Sequence, residues 1–359
     1  MDFWKVFLIP FASIYGLVVR LRHWMFNVNI LKSKSFPIPV IGVGNLSLGG
    51  TGKTPMVEYL IRLLSDNKKL AVLSRGYGRN TKGYFVANQN SGHMEIGDEP
   101  MQYHNKFPDS LTVAVCEDRR IGISNLLQDD YNLDAILLDD SFQHRYVKPG
   151  LSILLTDFHR LYMEDYLIPA GTLRDVVSQA KRADIIIVTK TYKVLSPITR
   201  RRIKSILKPE SHQSLYFSYL KYGKLVTFPG FKKEIVKKNI NTIVLFCGIA
   251  NSYPLQEYLR DMCMELLVID FPDHHTYSKK DLQTVSKTFN DEFTQNKIII
   301  TTEKDAMRLI KSEYICELEE LPLFYIPIEV KLHGVDKQNF SNQIEKYVTE
   351  NRRSSKLHQ

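Results

Sequence analysis

Gly49-Gly50-Thr51-Gly52-Lys53-Thr54 puts together the residue types that a nucleotide phosphate requires. Glycines let backbone N–H groups crowd around phosphate oxygens, a lysine reaches the β- and γ-phosphates, and a threonine hydroxyl ligates Mg²⁺. Ser47, Leu48 and the six residues after them form the candidate nucleotide-binding loop, with Lys53 also a catalytic candidate. An apolar run ending at Val43 leads into the loop, and an amphipathic run, Met56 to Leu64, leaves it. That strand–loop–helix order adds the partial positive charge of a helix N-terminus. The strict G-x-x-x-x-G-K-[ST] spacing would place a glycine at 47, where this chain has Ser47. An ordinary turn between a strand and a helix seldom needs three glycines and a lysine together.

Other chemistry lies at the ends of apolar runs. Ala135-Ile-Leu-Leu ends in Asp139-Asp140, placed to order a Mg²⁺ shell opposite Thr54, although paired acids can also cap a turn. Gln143 and His144 follow directly and are candidates to line the same cleft. Ser74-Arg75-Gly76-Tyr77-Gly78-Arg79 suits an anion, since guanidinium forks grip phosphate bidentately; the plain alternative is a turn with exposed arginines. Asp98 opens a helix, so it is either an N-cap or the base that takes a proton from an incoming hydroxyl. Arg119 and the Arg174–Asp175 pair are further candidates for gripping an anionic or polar substrate. Phe271-Pro-Asp-His-His-Thr-Tyr277 offers one functional imidazole, His274 or His275, to pair with Asp98 across a cleft. Thr301-Thr-Glu-Lys-Asp305 is explained nearly as well by helix capping.

These residues need a scaffold, and the pattern supplies one. Short runs dense in Val, Ile and Leu at 39–43, 70–73, 111–115, 135–138, 151–155 and 185–188 alternate with helical stretches. Such runs are what parallel strands buried on both faces look like. The fold class expected is α/β, a P-loop NTPase-type doubly wound, mostly parallel sheet whose ligands gather at the carboxyl ends of its strands. This nucleotide domain is expected over 35–212. A two-stranded linker about Gly223 follows at 213–239, then a smaller α/β domain at 240–345 and a frayed polar tail at 346–359.

The first 34 residues stand apart. Residues 3–19 are almost wholly apolar, with Arg20, Arg22, Lys32 and Lys34 beyond. Lys5 and Pro10 interrupt the run, which is short for a spanning helix, and no secretory cleavage site follows. An amphipathic helix lying in the interface is expected, with Trp4 and Tyr15 at headgroup level; a helix capping the protein's own core is the alternative. The net charge of +9 favours anionic partners and by itself does not choose among them. Four widely spaced cysteines and no C-x-x-C argue against a disulfide framework or a zinc site.

Taken together and in order, these motifs resemble the tetraacyldisaccharide 4'-kinase family of the lipid A pathway. The resemblance rests on Gly44 to Pro55, Ser-Arg-Gly-Tyr-Gly at 74–78, Gly-Asp-Glu-Pro at 97–100 and Asp-Asp-x-Phe-Gln-His at 139–144. Pro-Ala-Gly-x-Leu-Arg at 169–174, Asp-His-His at 273–275 and Thr-Thr-Glu-Lys-Asp at 301–305 complete it, so that it covers roughly residues 1–310. It implies ATP and Mg²⁺, and an acceptor that is the 4'-hydroxyl of a tetraacylated glucosamine disaccharide 1-phosphate. It further implies an anionic membrane surface as partner at the cytoplasmic face of the bacterial inner membrane, with no nucleic acid and no obligate protein partner. By resemblance Asp98 handles the hydroxyl proton with His274 tuning it, Thr54, Asp139 and Asp140 hold the metal, and Arg75, Tyr77, Arg119, Gln143, His144, Arg174 and Asp175 meet substrate. Asp175 departs from the glutamate the pattern implies. A soluble-substrate kinase would leave the apolar N-terminus unexplained. A guanine-reading switch would need Asn-Lys-x-Asp, of which Val188-Thr-Lys-Thr-Tyr192 is only a partial match.

Overall fold

The computed structural model describes residues 3–129, 131–231, 240–273, 275–310 and 312–356, and only the backbone of 3–6 and 352–356. Helix α1 (Phe3–Asn27) precedes a nucleotide domain built in the order β1 (Val40–Asn45), α2 (Lys53–Leu64), β2 (Leu70–Ser74), β3 (Phe85–Val86), α3 (His93–Ile96), α4 (Asp98–Lys106), β4 (Leu111–Val115), α5 (Arg119–Gln128), β5 (Ala135–Leu138), β6 (Leu151–Asp157), β7 (Ile185–Thr189), α6 (Pro197–Leu207) and β8 (Ser214–Tyr222). The smaller unit adds β9 (Val226–Thr227), β10 (Ile240–Cys247), α7 (Tyr253–Arg260), β11 (Cys263–Asp270), α8 (Lys279–Asp291), β12 (Lys297–Thr302), α9 (Glu303–Leu309) and β13 (Leu323–Ile326). Strand β14 (Ile328–Leu332) and helix α10 (Gly334–Lys356) close the chain.

The large sheet has nine strands in the order β14-β8-β7-β6-β1-β5-β2-β4-β3, parallel except for its two edge strands, β3 and β14. Strands β1, β2, β5 and β7 are buried along their whole length, because helices cover both faces. The second sheet runs β11-β10-β12-β13-β9, with only β9 antiparallel. The nucleotide strand β1 lies between β5, which ends at the acid pair, and β6.

Three expectations about the domain plan are corrected. The strands either side of Gly223 do not pair with each other. Strand β8 lies parallel to β7 and antiparallel to β14, while β9 joins β13 in the second sheet. Tyr216 and Phe217 on β8 are buried, and the large sheet supplies the apolar surface that a free two-stranded ribbon would lack. The chain also returns to the nucleotide domain before 345: Val330, Leu332, Phe340, Ile344 and Val348 share one core with Ile41, Leu60 and Ile153. The expected polar tail is helical as far as Lys356.

Helix α1 has two faces. Ala12, Gly16, His23 and Phe26 turn inward and are buried, whereas Phe7, Phe11, Ile14, Leu17, Leu21 and Trp24 are each more than half exposed. No helix among the described residues is long and apolar enough to cross a membrane. The Trp4 side chain, expected at headgroup level, lies outside the description.

Candidate active site

The phosphate loop is held in shape from three sides. Gly49 and Gly52 have φ of +95° and +86°, a left-handed conformation that glycine adopts without cost. Gly52 is the N-cap of α2, so Lys53 and Thr54 form the first turn of the helix, where backbone N–H groups are unsatisfied. Asn45 Nδ2 donates to Thr51 Oγ1 at 2.7 Å, and Thr189 Oγ1, at the end of β7, donates to the Thr51 carbonyl at 2.8 Å. The Leu48 N–H donates to the Thr172 carbonyl at 2.7 Å, and Ser47 bridges to Leu173. Ser47 therefore occupies an extended, buried position where the segment 172–174 is stitched to the loop, and no left-handed glycine is needed there.

Charge gathers beside the loop. Asp140 accepts from Arg174 at both carboxylate oxygens, one at 2.9 Å, and Lys53 Nζ stands 3.7 Å away. Burial works against ionisation of Asp140, but Lys53 and Arg174 together hold its carboxyl below the usual range. Asp139 is fully buried and accepts from the Tyr103 hydroxyl at 3.0 Å. Burial first, then Glu99 and Asp140, push its carboxyl up to about 7. Thr54 Oγ1 donates to Glu99 Oε1 at 3.2 Å. Three acids thus surround the lysine and threonine that open α2.

Asp98 opens the first turn of α4, the helix that also carries Glu99 and Tyr103. Gly97, at φ +91°, brings this turn against the 76–78 loop so closely that a Cβ there would lie 2.8 Å from the Tyr77 carbonyl. Arg308 Nε, on α9 of the smaller unit, donates to Asp98 Oδ2 at 2.7 Å. The same guanidinium holds Asp305 at 2.8 Å and the Gly248 carbonyl at 3.3 Å. Behind this contact, Lys106 joins Glu58 at 2.9 Å and Glu303 at 2.6 Å, and Gln102 bridges the same two acids. His274, expected as the partner of Asp98, lies outside the described residues. Its neighbour His275 stacks on Phe271 and bonds Asp281 at 3.0 Å, within the N-terminal cap of α8.

The remaining substrate candidates divide. Arg75 and Tyr77 are exposed on the loop after β2. Arg174 faces the phosphate loop, donating to Asn45 Oδ1 at 2.6 Å as well as to Asp140. Gln143 donates to the Asn45 carbonyl at 2.6 Å. Arg119 is buried and braces the carbonyls of Asp139 and Cys116 at 3.1 and 3.2 Å. His144 accepts from the Arg119 N–H at 3.2 Å, and burial with the Arg119 charge lowers its pKa to about 4, keeping the ring neutral. Both act as props under the acid pair instead of reaching outward. Asp175 is also corrected: it is buried and engaged with His23 at 2.6 Å and the Val176 N–H at 2.8 Å, so its carboxylate is not available to a substrate. At the bend 174–175 the two neighbouring side chains part, Arg174 toward Asp140 and Asp175 toward His23 on α1.

The family model for Tetraacyldisaccharide-1-P 4'-kinase matches residues 4–349. The chain belongs to the tetraacyldisaccharide 4'-kinase family. It is 45% identical to the Tetraacyldisaccharide 4'-kinase of Bacteroides thetaiotaomicron over 359 aligned residues, 97% of this chain and 94% of the relative. With the Flavobacterium johnsoniae protein of the same name it shares 42% identity over 351 residues, covering 98% and 99% of the two chains. Its fold is similar to a crystal structure of the "apo" form of LpxK from Aquifex aeolicus in complex with ATP, with a TM-score of 0.73 and 28% identity over 96% of this chain and 99% of that one.

Within this kinase family's fold, four site residues escape sequence reasoning. Glu99 stands beside Asp98 in Gly-Asp-Glu-Pro, and being an acid directly after a residue already singled out was the available signal. Asn45, the last residue of β1, serves Thr51, Arg174 and Gln143 at once. Tyr103, one turn after Glu99 on α4, could have been sought by helical spacing. Arg308 carries no local signal, because only the folding of a second domain brings it to Asp98.

Proposed function

We propose that the chain transfers the γ-phosphoryl group of ATP to the 4'-hydroxyl of a tetraacylated glucosamine disaccharide 1-phosphate, giving lipid IVA at the cytoplasmic face of the inner membrane. The reading is supported by a glycine phosphate loop beside a strand-end acid pair, with Glu99 bonding Thr54 from the turn that Asp98 opens, in a chain matched by its family over 4–349. The loop amides and Lys53 bind the β- and γ-phosphates, and Arg174 offsets charge on the transferring group. Asp98 accepts the hydroxyl proton, oriented by Arg308. Arg75 and Tyr77, exposed beside it, meet the disaccharide.

The acid cluster fits Mg²⁺. Asp139 Oδ1 is buried with no hydrogen-bond partner among the described residues, and a carboxyl raised to about 7 is one short of positive charge. Thr54, Asp139 and Asp140 are the candidate ligands, a hydroxyl and two acids. Among the described residues no three His, Cys, Asp or Glu side chains come together as a metal site; Mg²⁺ is commonly bound through one or two carboxylates with substrate phosphates and water. When bound, Mg²⁺ neutralises charge on the β- and γ-phosphates. The exposed apolar face of α1 lies on the bilayer so that acyl chains stay in lipid while the sugar enters the cleft. Mass spectrometry after incubation with ATP, Mg²⁺ and the lipid disaccharide tests the reading. A gain of one phosphate, lost in Asp98→Ala while ATP still binds, is expected; phosphorylation of only soluble sugars would refute it.

A further inference from the structure

His23 is a buried imidazole on α1 that the reaction does not use, and its hydrogen bonds define its chemical state. Nδ1 lies 3.0 Å from Arg145 Nη1, and Nε2 lies 2.6 Å from Asp175 Oδ1. A guanidinium can only donate, so Nδ1 must offer a lone pair and Nε2 must carry the proton. The ring therefore donates to Asp175 as a defined tautomer, and Arg145 fixes its orientation further by donating to the His23 carbonyl at 3.1 Å.

Asp175 is the neighbour of Arg174, and the two side chains leave the segment on opposite sides. On the α1 side, the Tyr15 hydroxyl donates to the Arg174 carbonyl at 2.8 Å. Gly16 lets the helix approach closely, since a Cβ there would lie 2.8 Å from Leu167 Cδ1. On the other side, the Arg174 N–H donates to the Leu46 carbonyl at 2.8 Å, and its guanidinium reaches Asn45 and Asp140. Arg22 adds a parallel route, donating to the carbonyl of Gln143, whose side chain donates to the Asn45 carbonyl. The segment 172–176 is thus clamped between α1 and the phosphate loop.

We infer that His23 is a positioning residue for phosphoryl transfer: through Asp175 it sets the segment that presents Arg174 to Asp140 and the phosphate loop, so the seating of α1 is read out at the phosphate site. This coupling rests on the membrane reading of α1 only for what seats the helix. The bond itself acts whether or not lipid is present.

The test uses the full chain with ATP, Mg²⁺ and the lipid disaccharide in anionic vesicles. His23→Ala lowers kcat roughly tenfold and weakens binding of a fluorescent ATP analogue without lipid, while partition to vesicles stays as in the wild type. His23→Gln, whose amide can still donate to Asp175, recovers kcat to within about threefold. Asp175→Ala, which removes the acceptor, falls with His23→Ala, and the double variant is no worse than either single one. Leu17→Glu, on the exposed face, loses vesicle partition and raises KM for the lipid, with ATP-analogue binding unchanged. A wild-type kcat in His23→Ala, or a Gln variant as slow as the Ala variant at equal thermal stability, overturns the inference. Unchanged partition and KM in Leu17→Glu overturns the membrane reading alone.

Discussion

Buried beside Glu99 and Asp140, the Asp139 carboxyl is pushed up to about 7, and the sign of the consequence can be worked out. A folded-state pKa above the unfolded one favours the protonated acid in the native state. The stability it contributes to the metal-free protein is therefore complete below the ordinary carboxylate range and is lost as pH rises to about 7. A Mg²⁺ ion held by this carboxylate, as proposed, would need the ionised form and expel a proton on binding, so its apparent affinity should fall about tenfold per pH unit below that value. A thermal-shift titration with Mg²⁺ at pH 8 and pH 6 measures this; equal midpoints would contradict it. Asp139→Asn keeps an acceptor for Tyr103 and removes the charge. It should raise Tm of the metal-free protein by a few degrees at pH 8, raise it by less at pH 5, and cut phosphoryl transfer by about 10²-fold or more. A variant less stable at both pH values would mean that packing, not charge, governs the site.

Helices α4 and α9 meet across the two units, and their contact is made of ions. Among the described residues Lys106 is the cation that pairs with both Glu58 and Glu303, each nearly inaccessible to water, while Arg62 pairs with Glu58. Burial, then the Glu58 charge, already raises the Glu303 carboxyl. Lys106→Met leaves two close carboxylates with too little positive charge, and at pH 8 this should cost about 3 kcal/mol, the scale of a broken buried pair. Because a raised acid regains stability once protonated, the penalty should shrink as pH falls toward 5. Urea unfolding of wild type and variant at the two pH values checks this, and a penalty that grows in acid would exclude the charge argument. This contact also marks how far sequence reading reaches. The phosphate loop, the acid pair and Asp98 each lie within a few consecutive residues at the end of an apolar run, where strand geometry makes them legible. Glu58, Lys106 and Glu303 come from three separate helices, and nothing local in any of them signals the others. Asp175 was misread for a related reason: its residue type fits a substrate grip, but the bend at 174–175 turns it to His23, which is 152 residues away in sequence.

At the scale of the molecule, the nucleotide domain is discontinuous, and the smaller unit is an insertion between two neighbouring strands. Tyr222 at the end of β8 is the register partner of Ile328 at the start of β14. The chain therefore leaves and re-enters the large sheet at adjacent points, which periodicity alone could not reveal because β14 and α10 look like a continuation of the second α/β pattern. Phe340, Ile344 and Val348 on α10 are fully buried in the core that holds β1 and α2. Ending the chain at 222 would expose that core, and losing three such side chains removes roughly 6 kcal/mol or more, comparable with the whole stability of a domain. Phe340→Ala alone should cost about 3–5 kcal/mol in urea unfolding. The sharper experiment replaces residues 224–326 by a short Asn-Gly turn that joins β8 to β14 as a hairpin. This chain should fold cooperatively and bind an ATP analogue, because every phosphate-loop contact lies within it. Kinase activity should be absent, because Arg308 no longer meets Asp98. A truncation at 222 that folds as well as the hairpin chain would show that α10 is dispensable, and with it the insertion plan would fall.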